Sequence, residues 1–109
     1  MKLSELIAQL GLSPVELTNA DVEVKSAYSG DLLSDVLAHA QPDSIWFTVQ
    51  AHVNIVAVAQ IRDIACVVLT NGVAPDPQTV AKAKSQGVNL CASECCAADL
   101  CMKLVGKLT

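Results

Sequence analysis

A chain of 109 residues with 52% apolar and 17% charged side chains can bury enough surface to fold as a single domain, residues 1–109, and is too hydrophobic to be disordered. Seven Lys and Arg stand against eleven Asp and Glu, a net charge of −4, with no run of basic residues. The only rings are Trp46, Tyr28 and Phe47, so both the counterion release and the stacking platforms that bind nucleic acid are missing.

The chain opens with Leu3, Leu6, Ile7 and Leu10 at the spacing of an amphipathic helix, closed by Gly11. Val15-Glu16-Leu17-Thr18 and Val22-Glu23-Val24-Lys25 alternate apolar and polar residues across Asn19-Ala20, which predicts two strands in an edge hairpin. Asp31 precedes the helical stripe Leu32, Leu33, Val36 and Leu37, which Gln41-Pro42-Asp43 interrupts. Ile45 to Val49 reads as a strand, Val53 to Ile61 as a helix covered on both sides, and Ala65 to Leu69 as a buried parallel strand.

Thr70-Asn71-Gly72 is a turn signal. Asp76 and Pro77 then start a helix that ends near Gly87. Val88 to Cys91 forms the last strand, and Ser93 caps a closing helix with Ala97, Leu100, Leu104 and Leu108 inward and Lys103 and Lys107 near its negative end. Strand starts at 45, 65 and 88 leave room for one helix between each, as parallel crossovers require, so the class is α/β. The charge-free stretch from Ser44 to Ile61 approaches membrane-spanning length but carries Thr48, Gln50, His52, Asn54 and Gln60, so it reads as soluble core. Glu5 falls where a secretory signal needs its apolar run, so a cytoplasmic location is expected.

If these strands are parallel, the segments 50–52, 70–72 and 91–93 leave the sheet at one edge, the edge where open α/β folds bind ligands. Gln50, His52, Asn54, Thr70, Asn71 and Gly72 form the expected site there. The helix that starts near His52 offers backbone N–H groups to an anion, and Gly72 lets backbone approach a ligand. The same residue types serve as helix caps and turns when nothing binds. No phosphate loop, nucleophile elbow, HExxH or paired-carboxylate pattern occurs, so no catalytic residues are assigned. Asp35 and His39 read as an i, i+4 helical pair.

Residues 30 to 72, GDLLSDVLAHAQPDSIWFTVQAHVNIVAVAQIRDIACVVLTNG, resemble the DRTGG domain family. Its split motif, GDR after one strand and TGG after the next, aligns with Gln50-Ala51-His52 and Thr70-Asn71-Gly72, where the positions are kept and most residues are changed. The family is similar to the N-terminal domain of HPr kinase/phosphorylase and occurs beside CBS domains and in some phosphate acetyltransferases. The resemblance implies a three-layer α/β/α fold with a mostly parallel sheet of about five strands, and a regulatory or sensing role rather than an enzymatic one. Short stand-alone members are similar to proteins encoded with iron-only hydrogenases, which implies a hydrogenase-related protein as one partner.

Five cysteines remain, four of them in the pattern C-x3-CC-x4-C from Cys91 to Cys101. On one helix Cys95 and Cys96 diverge by about 100°, and Cys101 points about 120° and 140° from them, so these three thiols do not converge on a metal. Cys66, Cys96 and Cys101 read as small buried hydrophobes. Cys91 and Cys95 are expected at the helix N-terminus on the ligand edge, where the dipole favours thiolate, and two copies across a two-fold axis would supply four ligands for zinc or an iron–sulfur cluster.

Three functions are therefore set out. The first is a regulatory module that binds a small anionic ligand such as a nucleotide and acts through a homodimer or partner. The second is a redox or iron–sulfur accessory protein using Cys91 and Cys95, and the third is a structural adaptor without ligand.

Overall fold

The computed structural model describes residues 1–108. Helix α1 (Leu3–Leu10) buries Leu3, Leu6 and Leu10 and ends at Gly11 in the left-handed conformation. It leads into β1 (Ser13–Glu16) and then, after a long connection, β2 (Ser26–Ser29). From there strands and helices alternate: α2 (Leu33–His39), β3 (Ser44–Thr48), α3 (Asn54–Ile61), β4 (Cys66–Leu69), α4 (Pro77–Gln86), β5 (Leu90–Ala92) and α5 (Ala97–Leu104). The sheet order is β1-β5-β4-β3-β2, with β2 to β5 parallel and β1 antiparallel to β5. This is the α/β class read from the strand spacing, with the mostly parallel, five-stranded sheet that the DRTGG resemblance implied.

Period-two alternation builds two apolar layers. Trp46, Val67, Leu69 and Leu90 meet Val36 of α2, Ile55, Val56 and Ala59 of α3 and Ala83 of α4 on one face. Ile45, Phe47, Cys66, Val68 and Cys91 meet Leu3, Leu6 and Leu10 of α1 and Leu100 and Leu104 of α5 on the other. From β2 to β5 the chain steps across by one strand per helix and keeps all three helices on one face, as crossovers of a single hand do.

The expected hairpin does not form. β1 pairs with β5, Ser13 opposite Ala92 and Pro14 opposite Cys91, with an irregularity between Pro14 and Glu16. Residues 22–24 lie instead against the start of the chain, where Leu3 N–H donates to Val22 O and Val24 N–H to Met1 O, both at 2.9 Å. Buried Asn89 holds the connection: its Oδ1 accepts from Thr18 and Asn19 N–H at 2.8 and 3.0 Å, and its Nδ2 donates to Asn19 O and Ala65 O. Alternation marks a half-buried strand but not its partner, and this side-chain clamp ties the turn to the sheet.

β2 is a strand the sequence did not announce, because Ser-Ala-Tyr-Ser has too little apolar content to signal one. The second element of the expected hairpin thus gives way to a parallel edge strand that starts one residue after it, Ser26 opposite Ser44 and Ser29 opposite Phe47. Two helix starts also differ. Asp76 and Pro77 open α4 as expected, but Asp76 makes no side-chain cap bond. α5 begins at Ala97 with Cys96 in the N-cap position, while the Ser93 hydroxyl accepts from Cys95 N–H at 3.0 Å in a turn before the helix. Among the described residues no helix is long and apolar enough to cross a membrane, and every buried side-chain nitrogen or oxygen has a partner.

Candidate functional site

Parallel pairing carries the loops after β2, β3, β4 and β5 to one rim, and antiparallel β1 brings Ser13 to the same rim opposite Ala92. The six residues expected to form a site therefore share this edge. What each does there differs between loops.

The loop after β3 is held by its own hydrogen bonds. Asp31, which the sequence placed ahead of α2, turns its carboxylate across to β3, where Oδ1 accepts from the Thr48 hydroxyl and from Val49 N–H, each at 2.9 Å. Gln50 Nε2 donates to Asp31 O at 3.0 Å. Asn54 N–H donates to His52 Nδ1 at 3.2 Å, so the imidazole caps the first turn of α3. Ala51 O accepts from the buried Thr79 hydroxyl at 2.6 Å, which fastens this loop to α4.

The loop after β4 is a tight reversal. Thr70 is buried and its carbonyl accepts from Val73 N–H at 3.1 Å, while Asn71 and Gly72 both have positive φ, 60° and 70°. Two consecutive left-handed residues make a type I′ turn, which explains Asn-Gly here without reference to a ligand. Their amides are committed: Asn71 N–H donates to Cys95 O and Gly72 N–H to Ser93 O, both at 2.9 Å. A Cβ on Gly72 would lie 2.5 Å from Glu94 Oε2, an exposed side-chain end that can swing aside, so it is the positive φ that favours glycine here.

Between these two loops and the next one the chain diverges. The segment after β4 runs to α4 on one face of the sheet, and the segment after β5 runs to α5 on the other. Loops that part to opposite faces leave a crevice beyond the strand ends. It is present as an open cleft of about 210 Å³ lined by Ser13, Gly72 to Pro75 and Ala92 to Glu94. Of the six expected residues only Gly72 lines it. Ser13, Ser93 and Glu94 were not foreseen as site residues, because the signal for them is the change of face, which no local pattern records.

The rim is acidic. The loops 30–32, 49–53, 70–76 and 93–96 contain Asp31, Asp76 and Glu94, one histidine, His52, and no Lys or Arg. Glu94 forms no ion pair among the described residues.

The thiols are arranged differently from the sequence expectation. Cys91 lies in β5 with no solvent exposure, packed in the layer under α1 and α5, so it is not on the rim and cannot meet a second copy across a two-fold axis. The reason is the strand period: Leu90 faces one layer, so Cys91 faces the other. The neighbouring Cys91 thiol, together with complete burial, pushes the Cys66 thiol well above its ordinary value. Cys95 is half-buried in a separate groove of about 330 Å³ with Asp99, Met102 and Lys103. Cys96 and Cys101 are half-buried rather than core, and desolvation raises the Cys101 thiol. Among the described residues no group of three or more His, Cys, Asp or Glu side chains is placed to hold a metal ion.

No family model and no curated protein matches this sequence. Among solved structures the chain is similar to the CBS and DRTGG domains of the regulatory region of Clostridium perfringens pyrophosphatase, complexed with its activator diadenosine tetraphosphate. The TM-score is 0.77 at 11% identity, over 95% of this chain and 46% of that one. The likeness establishes a DRTGG-like α/β fold, and the chain spans a little under half the length of that neighbour.

Proposed function

We propose that this chain is a non-catalytic regulatory module that senses a nucleotide at the carboxyl rim of its sheet and passes occupancy to a partner or a second copy. The observation that carries the reading is the cleft beyond the ends of β4 and β5, lined by Ser13, Gly72 to Pro75 and Ala92 to Glu94, with Glu94 lying against Gly72. Thr70 and Asn71 shape its β4 wall. Gln50, His52 and Asn54 sit on the next loop along, where the His52 imidazole, whose Nδ1 accepts from Asn54 N–H, keeps Nε2–H to donate to the phosphate end. The structural neighbour adds support, because it is a regulatory region bound to a nucleotide activator.

Two magnitudes refine the reading. A cleft of about 210 Å³ is smaller than the roughly 300–1,000 Å³ of sites that enclose whole ligands, so part of the nucleotide stays outside for a second surface to cover. Three carboxylates on the rim oppose a polyanion, so the nucleotide binds best as its Mg²⁺ complex. Titration calorimetry and melting curves with AMP, ADP, ATP and diadenosine tetraphosphate, with and without Mg²⁺, test this. A stabilisation that grows with ligand concentration is expected, about 2.7 kcal/mol at a hundred times Kd. Absence of heat and of any melting shift with all four at millimolar concentration overturns it.

A further inference from the structure

We propose that the crevice reads the ribose of the nucleotide, through the carboxylate of Glu94; this rests on the nucleotide reading above. The lining has one charged group, Glu94, two hydroxyls, Ser13 and Ser93, and apolar walls from Val73 and Pro75, with no cation to meet a phosphate. Such a lining accepts hydrogen bonds from an uncharged, donor-rich group and disfavours an anion. A vicinal diol is the part of a nucleotide that fits, since two neighbouring hydroxyls can donate to the two oxygens of one carboxylate.

Glu94 Oε2 lies 2.5 Å from where a Cβ on residue 72 would sit, so the exposed carboxylate rests against the bare backbone of Gly72 at the cleft. The turn beneath is tied to the opposite wall by Gly72 N–H on Ser93 O and Asn71 N–H on Cys95 O. The Ser93 hydroxyl accepts from Cys95 N–H and so retains its own proton to donate to an oxygen of the sugar. The cleft holds a sugar without the base and phosphates, which is the division that its volume requires.

Adenosine, 2′-deoxyadenosine and 3′-deoxyadenosine, and the corresponding triphosphates with Mg²⁺, are titrated into the intact chain and into Glu94→Gln and Glu94→Ala. Glu94 is exposed, so both variants should melt as the parent does. The parent is expected to bind each ribose form about ten- to a hundredfold more tightly than its deoxy form, the worth of a hydrogen bond to a charged group. Glu94→Ala should abolish that preference, and Glu94→Gln should retain part of it. Equal binding of ribose and deoxy forms, or a preference that survives in Glu94→Ala, overturns the ribose assignment and leaves nucleotide sensing intact. Failure of the parent to bind any of these compounds overturns both.

Discussion

Two gaps on one rim, a single strand apart, have opposite character. Between β3 and β4 the following helices, α3 and α4, lie on the same face of the sheet, and the loops close on themselves through Asp31, Gln50, His52 and the bond from Thr79 to Ala51 O. Between β4 and β5 the loops are joined at their base by Asn71 N–H on Cys95 O and Gly72 N–H on Ser93 O, but the following helices lie on opposite faces, and a cleft with Ser13 in its lining opens beyond that tie. Both gaps are lined by residues that bind ligands in many proteins. The difference teaches that the direction in which the chain leaves a strand, more than the residue types at its end, decides where a ligand can enter.

Four substitutions press on this contrast. The largest effect belongs to Gly72→Val, which puts a β-branched side chain at a φ of 70° and a Cβ 2.5 Å from Glu94 Oε2. Chemical denaturation should show about 2–3 kcal/mol of destabilisation, and titration calorimetry should show nucleotide binding lost. Retained binding would mean that the open gap is not the site.

Asp31→Ala attacks the closed gap instead. It removes the acceptor of Thr48 Oγ1 and Val49 N–H, and a loss of about 1–2 kcal/mol in the denaturation midpoint analysis is expected. Nucleoside affinity should be unchanged if the ligand enters only between β4 and β5. A drop in nucleoside affinity as large as that of Gly72→Val would merge the two gaps into one site.

His52→Ala sharpens the comparison at lower amplitude. The loss of the ring nitrogen that caps Asn54 N–H should cost about 0.5–1 kcal/mol by thermal melting. Affinity for ATP should fall several-fold while affinity for adenosine holds, because this loop is assigned to the phosphates. Equal losses for both compounds would remove that assignment.

The smallest effect lies at β2, beyond both gaps. The Tyr28 hydroxyl donates to Asp35 and holds its carboxyl below the usual range, with His39 adding to the effect. The same hydrogen bond raises the Tyr28 hydroxyl above its ordinary value. A depressed carboxyl stabilises the fold above its unfolded pKa and loses that contribution as pH falls through the folded value; a raised phenol does so below its unfolded pKa and loses it as pH rises. Tyr28→Phe should therefore flatten the stability profile on both its acid and alkaline limbs, as read by urea midpoints across pH, while leaving the rim untouched.

Much of the fold was legible because its signals are contiguous. The runs at 45–49 and 65–69 hold the buried parallel strands Ser44–Thr48 and Cys66–Leu69 to within a residue, Pro77 and Gly87 bound a helix, and Leu3, Leu6 and Leu10 form an apolar stripe, each readable within one or two turns of chain. Where a partner had to be chosen, the reading failed. Val15 to Thr18 and Val22 to Lys25 looked like a hairpin, yet the side chain of Asn89, some seventy residues on, holds the turn between them. Cys91 looked like a rim thiol because it ends an apolar run, but the strand continues through Ala92 and turns it into the core. The candidate site was legible only as an edge: Gln50, His52, Asn54, Thr70, Asn71 and Gly72 lie on one rim, but of these only Gly72 lines the cleft, together with Ser13, Ser93 and Glu94 among others.

The sequence by itself determined the class of the five helices and of β3 to β5, the parallel run of those three strands, and hence the edge to which the intervening loops go. Periodicity and turn chemistry act within a segment, and a single crossover hand places α3 and α4 on the same side once the strands step in one direction. Only the tertiary structure decided the face of α5. This helix covers Ile45, Phe47, Val68 and Cys91 on the face that α1 also covers, the apolar side of the sheet that α2, α3 and α4 leave bare. That placement sets the course of the segment after β5, and its cause is the burial of Leu100 and Leu104 against a surface assembled from distant strands.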